Sequence, residues 1–447
     1  MIKIKRGLDL PISGTPRQEI DNAAAVSHVA LLGGEFHGLK PTMAVQEGDR
    51  VSKGQLLFTD KKTAGVKYTS PASGVVKGIN RGKQRALLSV EIAVEGDAAE
   101  TFNAYSAEQL AGLSREQVVE QLVESGAWTE LRPRPFGKVP ATDTAPHALF
   151  VTAMDSNPLT ANPDVIISEQ LDAFRAGLLV LSKLTEGITW VCRAATSKLP
   201  SFAAGSIREE SFSGPHPAGN ASTHIHFIDP VGLGKVAWHI GYQDVIAVGR
   251  LFLDGQLYNE RVVALAGPQV SNPRLVRTLQ GASLAELTAG ELKEGSSRVI
   301  SGSVFGGHHA RGAVSFLGRW ANQVTVIAEA GDRALLGYLS PGFERHSVLN
   351  IYLSKLFPGK KLDMTSTTNG SERAMVSLGN YEEVMPLDIL ATPLLRAIAV
   401  GDMDSAIDLG ALELIEEDVA LCTYTCVGKY EYGPILRDNL TRIEQEV

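Results

Sequence analysis

Residues 41–85 alternate short apolar runs with turn residues. Val45–Phe58 is punctuated by Gly48 and Gly54, then come Ser70–Val76 and the turn Asn80–Gly82. Valine, leucine and phenylalanine runs at this spacing predict the short strands of a small all-β domain. From about residue 100 to 255 the rhythm changes to helices alternating with strands. Ser114–Leu122 opens a helix, with Ser114 as its N-cap and Gln117 in the capping-box position. Ala148–Ala153 reads as a buried strand, followed by a loop holding Pro158 and Pro163. Leu171, Phe174, Leu178 and Leu181 then line one face of a helix that Gly187 ends, and Ile188–Cys192 is the next strand. Strand, loop, helix and strand in this order imply a βαβ unit and a Rossmann-like parallel sheet.

Strands return over 256–330, where Arg261–Pro268 runs into Asn272–Arg274 and Gly281–Leu287 begins a short helix. Beyond about 340 the chain is helix-rich at its end, with helical patterning in Pro393–Val400, Met403–Gly410 and Tyr432–Glu446 and a polar loop at Thr365–Gly370. A chain of 447 residues exceeds what one hydrophobic core supports. The expected division is 1–100 (all-β), 101–255 (Rossmann-like α/β), 256–335 (strand-rich) and 336–447 (helical).

Composition removes several classes of function. The formal net charge is -8 and no Lys/Arg block interrupts it, so nucleic acid is not an expected partner. The longest apolar stretches, such as Ala176–Leu181 and Val245–Val248, fall far short of the roughly 20 residues that cross a bilayer. Met1–Gly7 is charged and lacks the apolar run of a signal peptide. A cytoplasmic chain is expected, with any membrane association made through protein partners or a surface patch. Cys192, Cys422 and Cys426 are the only cysteines. They suit a reducing compartment and are too few for a cluster held by four thiolates of this chain.

The glycine-punctuated strands of 41–85 resemble the barrel-sandwich hybrid of biotinyl and lipoyl domains. Those domains modify a lysine at a hairpin tip, which raises the question of Lys61 and Lys62. No Met-Lys-Met or acidic-Lys context surrounds them, and solvated turn lysines are the default reading. Arg261–Leu287, with its strand, Gly267-Pro268, Asn272-Pro273 and Gly281-x-x-Leu284-x-x-Leu287, resembles the soluble-ligand-binding β-grasp (SLBB) module.

A lipoyl-like, a Rossmann-like and a β-grasp module followed by helices resemble three related families. These are the A subunits of Na⁺-translocating NADH:quinone oxidoreductases, the C subunits of Rnf complexes and the flavin-bearing subunits of complex I. Gly7–Ile12, Val151–Asp155, Phe212–Gly219, Arg274–Thr278, Thr367–Gly370 and Leu421–Gly433 resemble the first family, over nearly the whole chain. The resemblance implies a complex that oxidises NADH, reduces ubiquinone to ubiquinol and exports Na⁺. It places FAD, FMN, riboflavin and a 2Fe–2S cluster in other subunits and none in this one. The implied partners are the other subunits, lettered B to F, chiefly the membrane-embedded B subunit. The chain itself would be peripheral, on the cytoplasmic face of the inner membrane. The alternative is a flavin-dependent NADH dehydrogenase subunit of the Rnf or complex I type.

Against the flavin-bearing relatives the sequence departs at three places. After a segment like Glu124–Gly126, those relatives carry a glycine-rich loop whose bare backbone N–H groups approach flavin phosphates. Here the stretch is Leu131–Lys138, in which Pro133 and Pro135 lack N–H donors and Arg132, Arg134 and Phe136 fill the space. The relatives' acidic run over the nicotinamide is replaced by Met154–Pro158, where Asp155 could bind a ribose or, as favoured, cap the next turn. Cys422 and Cys426 sit where the relatives ligate iron–sulfur clusters, and as a two-cysteine remnant they read as packing.

The remaining candidates are weaker. His216, His224, His226 and His239 lie in one region, and His224 and His226 would share a face on a strand. No H-E-x-x-H helix supports a metal, and hydrogen-bonded histidines are the default there and in the His308-His309 loop. No G-x-S-x-G elbow or G-K-[ST] loop is present. A quinone site needs an apolar, partly aromatic cleft with donors for the carbonyl oxygens. Phe36, His37, Arg134, Phe136 and Lys138 offer that mixture, although arginine and aromatic residues also mark subunit interfaces.

Overall fold

The computed structural model describes residues 1–23, 25–331, 339–349 and 351–446. The alternating segment of 28–94 folds as two small antiparallel sheets packed face to face. One has the strand order His28–Leu32, Leu87–Val94, Gly74–Arg81 and Arg50–Val51; the other has Pro41–Met43, Leu56–Asp60 and Lys67–Thr69. Side chains alternate between the two faces of each strand, and Val29, Leu31, Phe58, Tyr68, Val90 and Ile92 form the filling. Lys61 and Lys62 sit exposed in the turn after Leu56–Asp60, as turn lysines do.

The α/β module is one six-stranded sheet. Its strands are β1 (Ile2–Lys3), β2 (Arg132–Arg134), β3 (Ala148–Ala153), β4 (Thr189–Ala194), β5 (Ile207–Ser213) and β6 (Ala237–Gly241). They lie in the order β1-β5-β4-β3-β6-β2. All neighbours are parallel except β2, which runs antiparallel to β6 with Arg132 opposite His239 and Arg134 opposite Ala237. The predicted strands at 148–153 and 188–192 are thus parallel neighbours, as a βαβ crossover requires.

Three helices cover this sheet: α1 (Leu171–Leu181), α2 (Ala221–Ile228) and α3 (Tyr242–Asp254). α1 stops at Leu181 and continues as a short 3₁₀ turn, so the expected end at Gly187 comes too late. The predicted capping box is formed, since Ser114 accepts from the Gln117 N–H and the Gln117 side chain accepts from the Ser114 N–H. The strand expected for His224 and His226 is instead helix α2. Two turns of Ala-Ser-Thr-His-Ile-His cannot be told from a strand by composition, and packing of Ile225 against Phe150 and Phe212 decides it.

The third sheet has the order His308–His309, Ser297–Ser301, Gln323–Ala328, Glu260–Ala266, Arg274–Leu279 and Arg17–Asn22. The histidine pair read as a loop is therefore a two-residue edge strand opposite Ile300 and Ser301. The first 22 residues serve neither sheet of the barrel: β1 extends the α/β sheet and Arg17–Asn22 extends the third. Helices Ala391–Val400, Met403–Asp408 and α4 (Tyr432–Glu446) close a separate core around Leu394, Leu395, Leu436 and Leu440.

Candidate functional site

In open α/β sheets ligands bind beyond the carboxyl ends of the strands. Here a cavity of about 220 Å³ opens at that edge, beyond Thr152 of β3 and Met154 and Asp155 just after it, and beside His239 of β6. Residues 219–221 at the amino end of α2 line a second side. Arg132 of β2, Glu35 from the barrel and Ser301–Ser303 and Trp320 from the third module complete it. Glu417 of the helical module lines it too, so four modules meet here, and the α/β sheet alone would leave the cavity open.

Asp155 is engaged in its own turn. Its Oδ1 accepts from the Asn157 N–H (2.8 Å) and Nδ2 (2.9 Å), and its Oδ2 accepts from Thr160 (2.8 Å). This is the capping role that the sequence favoured. Burial raises the Asp155 carboxyl above its usual range despite those bonds.

The four histidines of 216–239 separate rather than converge on an ion. His216 stacks on Phe305, and its Nδ1 lies 3.1 Å from the Ser156 hydroxyl. The Nε2 of His224 lies 3.0 Å from the Ala218 carbonyl. His226 faces Glu413 at 2.7 Å and accepts the Asp388 N–H at 3.0 Å. Both ring nitrogens of His239 are buried without a partner. Desolvation holds His216 at about 4 and His224 at about 3, so both are neutral at physiological pH. Among the described residues no cluster of three or more His, Cys, Asp or Glu side chains is arranged to hold a metal ion.

Cys422 and Cys426 are both buried. Cys426 accepts from the Tyr381 hydroxyl at 3.1 Å and lies 3.6 Å from that of Tyr432.

The segment 131–138 is a short strand followed by a closed turn. Arg132–Arg134 is a strand whose backbone is paired to β6, Pro133 is buried, and the turn closes through the Gly137 N–H to the Pro133 carbonyl at 3.0 Å. Arg134 is wholly buried, donating to the Ser222 hydroxyl at 3.0 Å and facing Glu417 at 3.4 Å. Prolines and paired backbone leave no N–H cradle of the kind a phosphate needs.

The five residues proposed around a quinone divide into two groups. Phe36 is buried, edge-on to Tyr68 and Trp320 at centroid distances of 4.8 and 5.5 Å. Arg134 is enclosed as described. His37, Phe136 and Lys138 are half-buried and meet where the barrel, the α/β sheet and α4 join. His37 lies 3.5 Å from Glu416, Arg437 of α4 donates to the Phe136 carbonyl at 2.5 Å, and Lys138 pairs with Glu444 of α4. Burial, then the nearby Arg437, lowers the His37 imidazole to about 4.

Sequence reasoning missed the cavity as such. Glu35, His239, Tyr242 and Trp320 come from separate stretches of the chain, and no spacing signal joins them.

These modules define a class: a barrel-sandwich hybrid joined to a Rossmann-like domain, followed by a β-grasp sheet and helices. Family models described as the NqrA N-terminal barrel-sandwich hybrid domain, the NqrA second alpha/beta domain and the NQRA C-terminal domain match residues 2–95, 113–257 and 262–312. The A subunit of the Na(+)-translocating NADH-quinone reductase of Alcanivorax borkumensis is 62% identical over the full length of both chains. Its counterparts in Saccharophagus degradans and Pseudomonas aeruginosa are 60% and 58% identical, again with full coverage of both. The chain belongs to the family of A subunits of the Na⁺-translocating NADH-quinone reductase. An NAD⁺-reducing [NiFe]-hydrogenase chain aligns over 52% of each chain at 13% identity and a TM-score of 0.34, too low to carry an argument.

Proposed function

We propose that this chain is the peripheral, cofactor-free A subunit of a complex that oxidises NADH, reduces ubiquinone to ubiquinol and exports Na⁺. It docks on the cytoplasmic side of the membrane subunits, chiefly the B subunit, while FAD, FMN, riboflavin and the 2Fe–2S cluster reside elsewhere in the complex. Family membership supports the complex, and among the described residues no helix is long and apolar enough to cross a membrane. The observation that carries the cofactor-free reading is the turn 131–138, where Pro133 and Pro135 and a paired strand stand in place of a phosphate cradle. The test is the flavin content of the purified chain. A colourless protein is expected, and stoichiometric flavin would replace this reading with a flavin-dependent NADH dehydrogenase subunit.

Within this reading His37, Phe136 and Lys138 shape quinone access. The support is a neutral imidazole, an aromatic ring and a cation in one half-buried junction, the mixture that a carbonyl-bearing ring requires. Phe36 and Arg134 hold that junction from behind through Trp320 and Ser222. A photoreactive quinone added to the complex should label residues 36–38 and 134–138, and Phe136→Ala should reduce the labelling. Diffuse labelling across the chain would reject the assignment.

A further inference from the structure

The cavity at the carboxyl ends of β3 and β6 is lined by buried polar groups that lack partners among the described residues. Arg132 lines this cavity. Its guanidinium lies over the Trp320 ring at 5.0 Å, and its Nε is buried without a partner. Among the described residues Trp320 Nε1, the Tyr242 hydroxyl and both ring nitrogens of His239, one a donor and one an acceptor in the neutral ring, are also buried and unpartnered. His239 and Tyr242 are each only 1% exposed, and both line the cavity.

The amino end of α2 adds to the surplus. The Asn220 side chain, at the N-cap position, makes no capping bond, and its Nδ2 donates to Asp418 at 3.2 Å. The first-turn N–H groups of a helix carry partial positive charge and need an acceptor. The Gly219 and Asn220 N–H groups donate to the Ser156 hydroxyl at 2.8 Å and the Pro217 carbonyl at 3.0 Å, which leaves Ala221 as the first-turn residue on the cavity that His239 also lines.

The carboxylates on these walls are already occupied. Asp155 accepts from Asn157 and Thr160, Glu35 accepts the Arg319 N–H at 3.0 and 3.1 Å, and Glu417 faces Arg134 at 3.4 Å. Arg132 Nε and Trp320 Nε1 are thus left without an acceptor among the described residues.

The geometry points to a binding site for a small oxyanion, a carboxylate or a phosphate, held by Arg132, His239 and the amino end of α2. Arg132 presents a planar fork suited to two oxygens of one anion, and stacking on Trp320 fixes the plane of that fork. Trp320 Nε1 and the Tyr242 hydroxyl supply further donors. A volume of about 220 Å³ admits such an ion with a few waters. Burial pushes Glu35 up to about 7, where it faces Arg319 and Arg132 as cations and Glu130 as an anion. His239, His308, Asp155 and Glu417 share the cavity wall with it. A neutral Glu35 removes one repulsion, so binding tightens as pH falls below neutrality. The proposal is independent of the quinone reading and concerns a different ligand.

The test titrates the full chain calorimetrically at pH 6.5, once with inorganic phosphate and once with succinate at constant chloride. Saturable one-to-one binding of either anion is expected, and the two arms identify which chemistry is taken. Arg132→Gln should weaken binding at least tenfold. Trp320→Phe, which keeps an aromatic ring and removes the N–H, should weaken it severalfold and guards against misfolding of the first variant. A crystal soaked in selenate should show its anomalous peak beside Arg132 and His239. Ordered water alone in that position, or affinity unchanged in both variants, would overturn the proposal.

Discussion

Arg319 of the third module lies 2.9 Å from Glu130 of the α/β module, and both side chains are almost wholly buried. Glu130 also faces Arg261 at 3.5 Å, and Arg261 pairs with Asp244 at the start of α3. Two cations and two carboxylates thus neutralise one another inside a domain boundary. Removing one partner of such a set leaves a buried charge uncompensated, which costs about 3–5 kcal/mol. Glu130→Ala should therefore reduce the unfolding free energy by that margin, measured by urea titration. A change below about 1 kcal/mol, the value of an exposed pair, would show that water reaches the network.

Helices α1 and α3 touch backbone to backbone. A Cβ at Gly249 would stand 1.8 Å from the Ala173 carbonyl oxygen, and one at Gly177 would stand 2.0 Å from that of Val245. Alanine has the better helix propensity by about 1 kcal/mol, yet overpacking costs about 1–3 kcal/mol. Steric cost should win. Gly249→Ala is expected to lower the thermal midpoint, and an unchanged or raised midpoint would refute the close approach.

Glu35 gives stability a pH dependence of defined sign. Burial raises its folded pKa to about 7 from 4.5, so the unfolded chain loses its proton first as pH increases. Stability is reduced progressively between pH 4.5 and about 7, and the penalty is constant above that. Glu35→Gln removes it. The variant should gain stability over the parent as pH rises through this window, measured by denaturant unfolding from about pH 4.5 to 8. A difference independent of pH would contradict the shift.

The three cysteines are buried, and burial pushes Cys422 up to about 12 and Cys192 well above its ordinary value. Burial acts in the same sense on Cys426, but bonds from Tyr381 and from the Tyr430 and Gly428 backbone outweigh it and lower the thiol. A thiol reagent needs both access and thiolate. At pH 8 the native chain should react with far less than one equivalent of 5,5′-dithiobis(2-nitrobenzoate), and the denatured chain with all three thiols. Rapid native reaction of Cys426 would mean that its pocket opens readily.

Elements with a strong period or a cap were legible from the residues alone. The Ser114–Gln117 box, the apolar strands at 148–153 and 189–194 and the glycine-punctuated barrel all follow from contacts within a few residues. The missing N–H donors at Pro133 and Pro135 were legible too, because proline removes an N–H wherever it stands. The helix holding His224 and His226 was not, since eight residues of mixed polarity have no decisive period until Ile225 meets the sheet.

The destinations of the first 22 residues, and the cavity itself, depended on how the modules close. Strands Ile2–Lys3 and Arg17–Asn22 join sheets whose other strands lie far along the chain. Glu35, Arg132, His239 and Trp320 become neighbours only when three modules meet. Local physics sets what a segment can form. Burial of one module's face against another sets which donors are left without acceptors, and no pattern within a single segment records that.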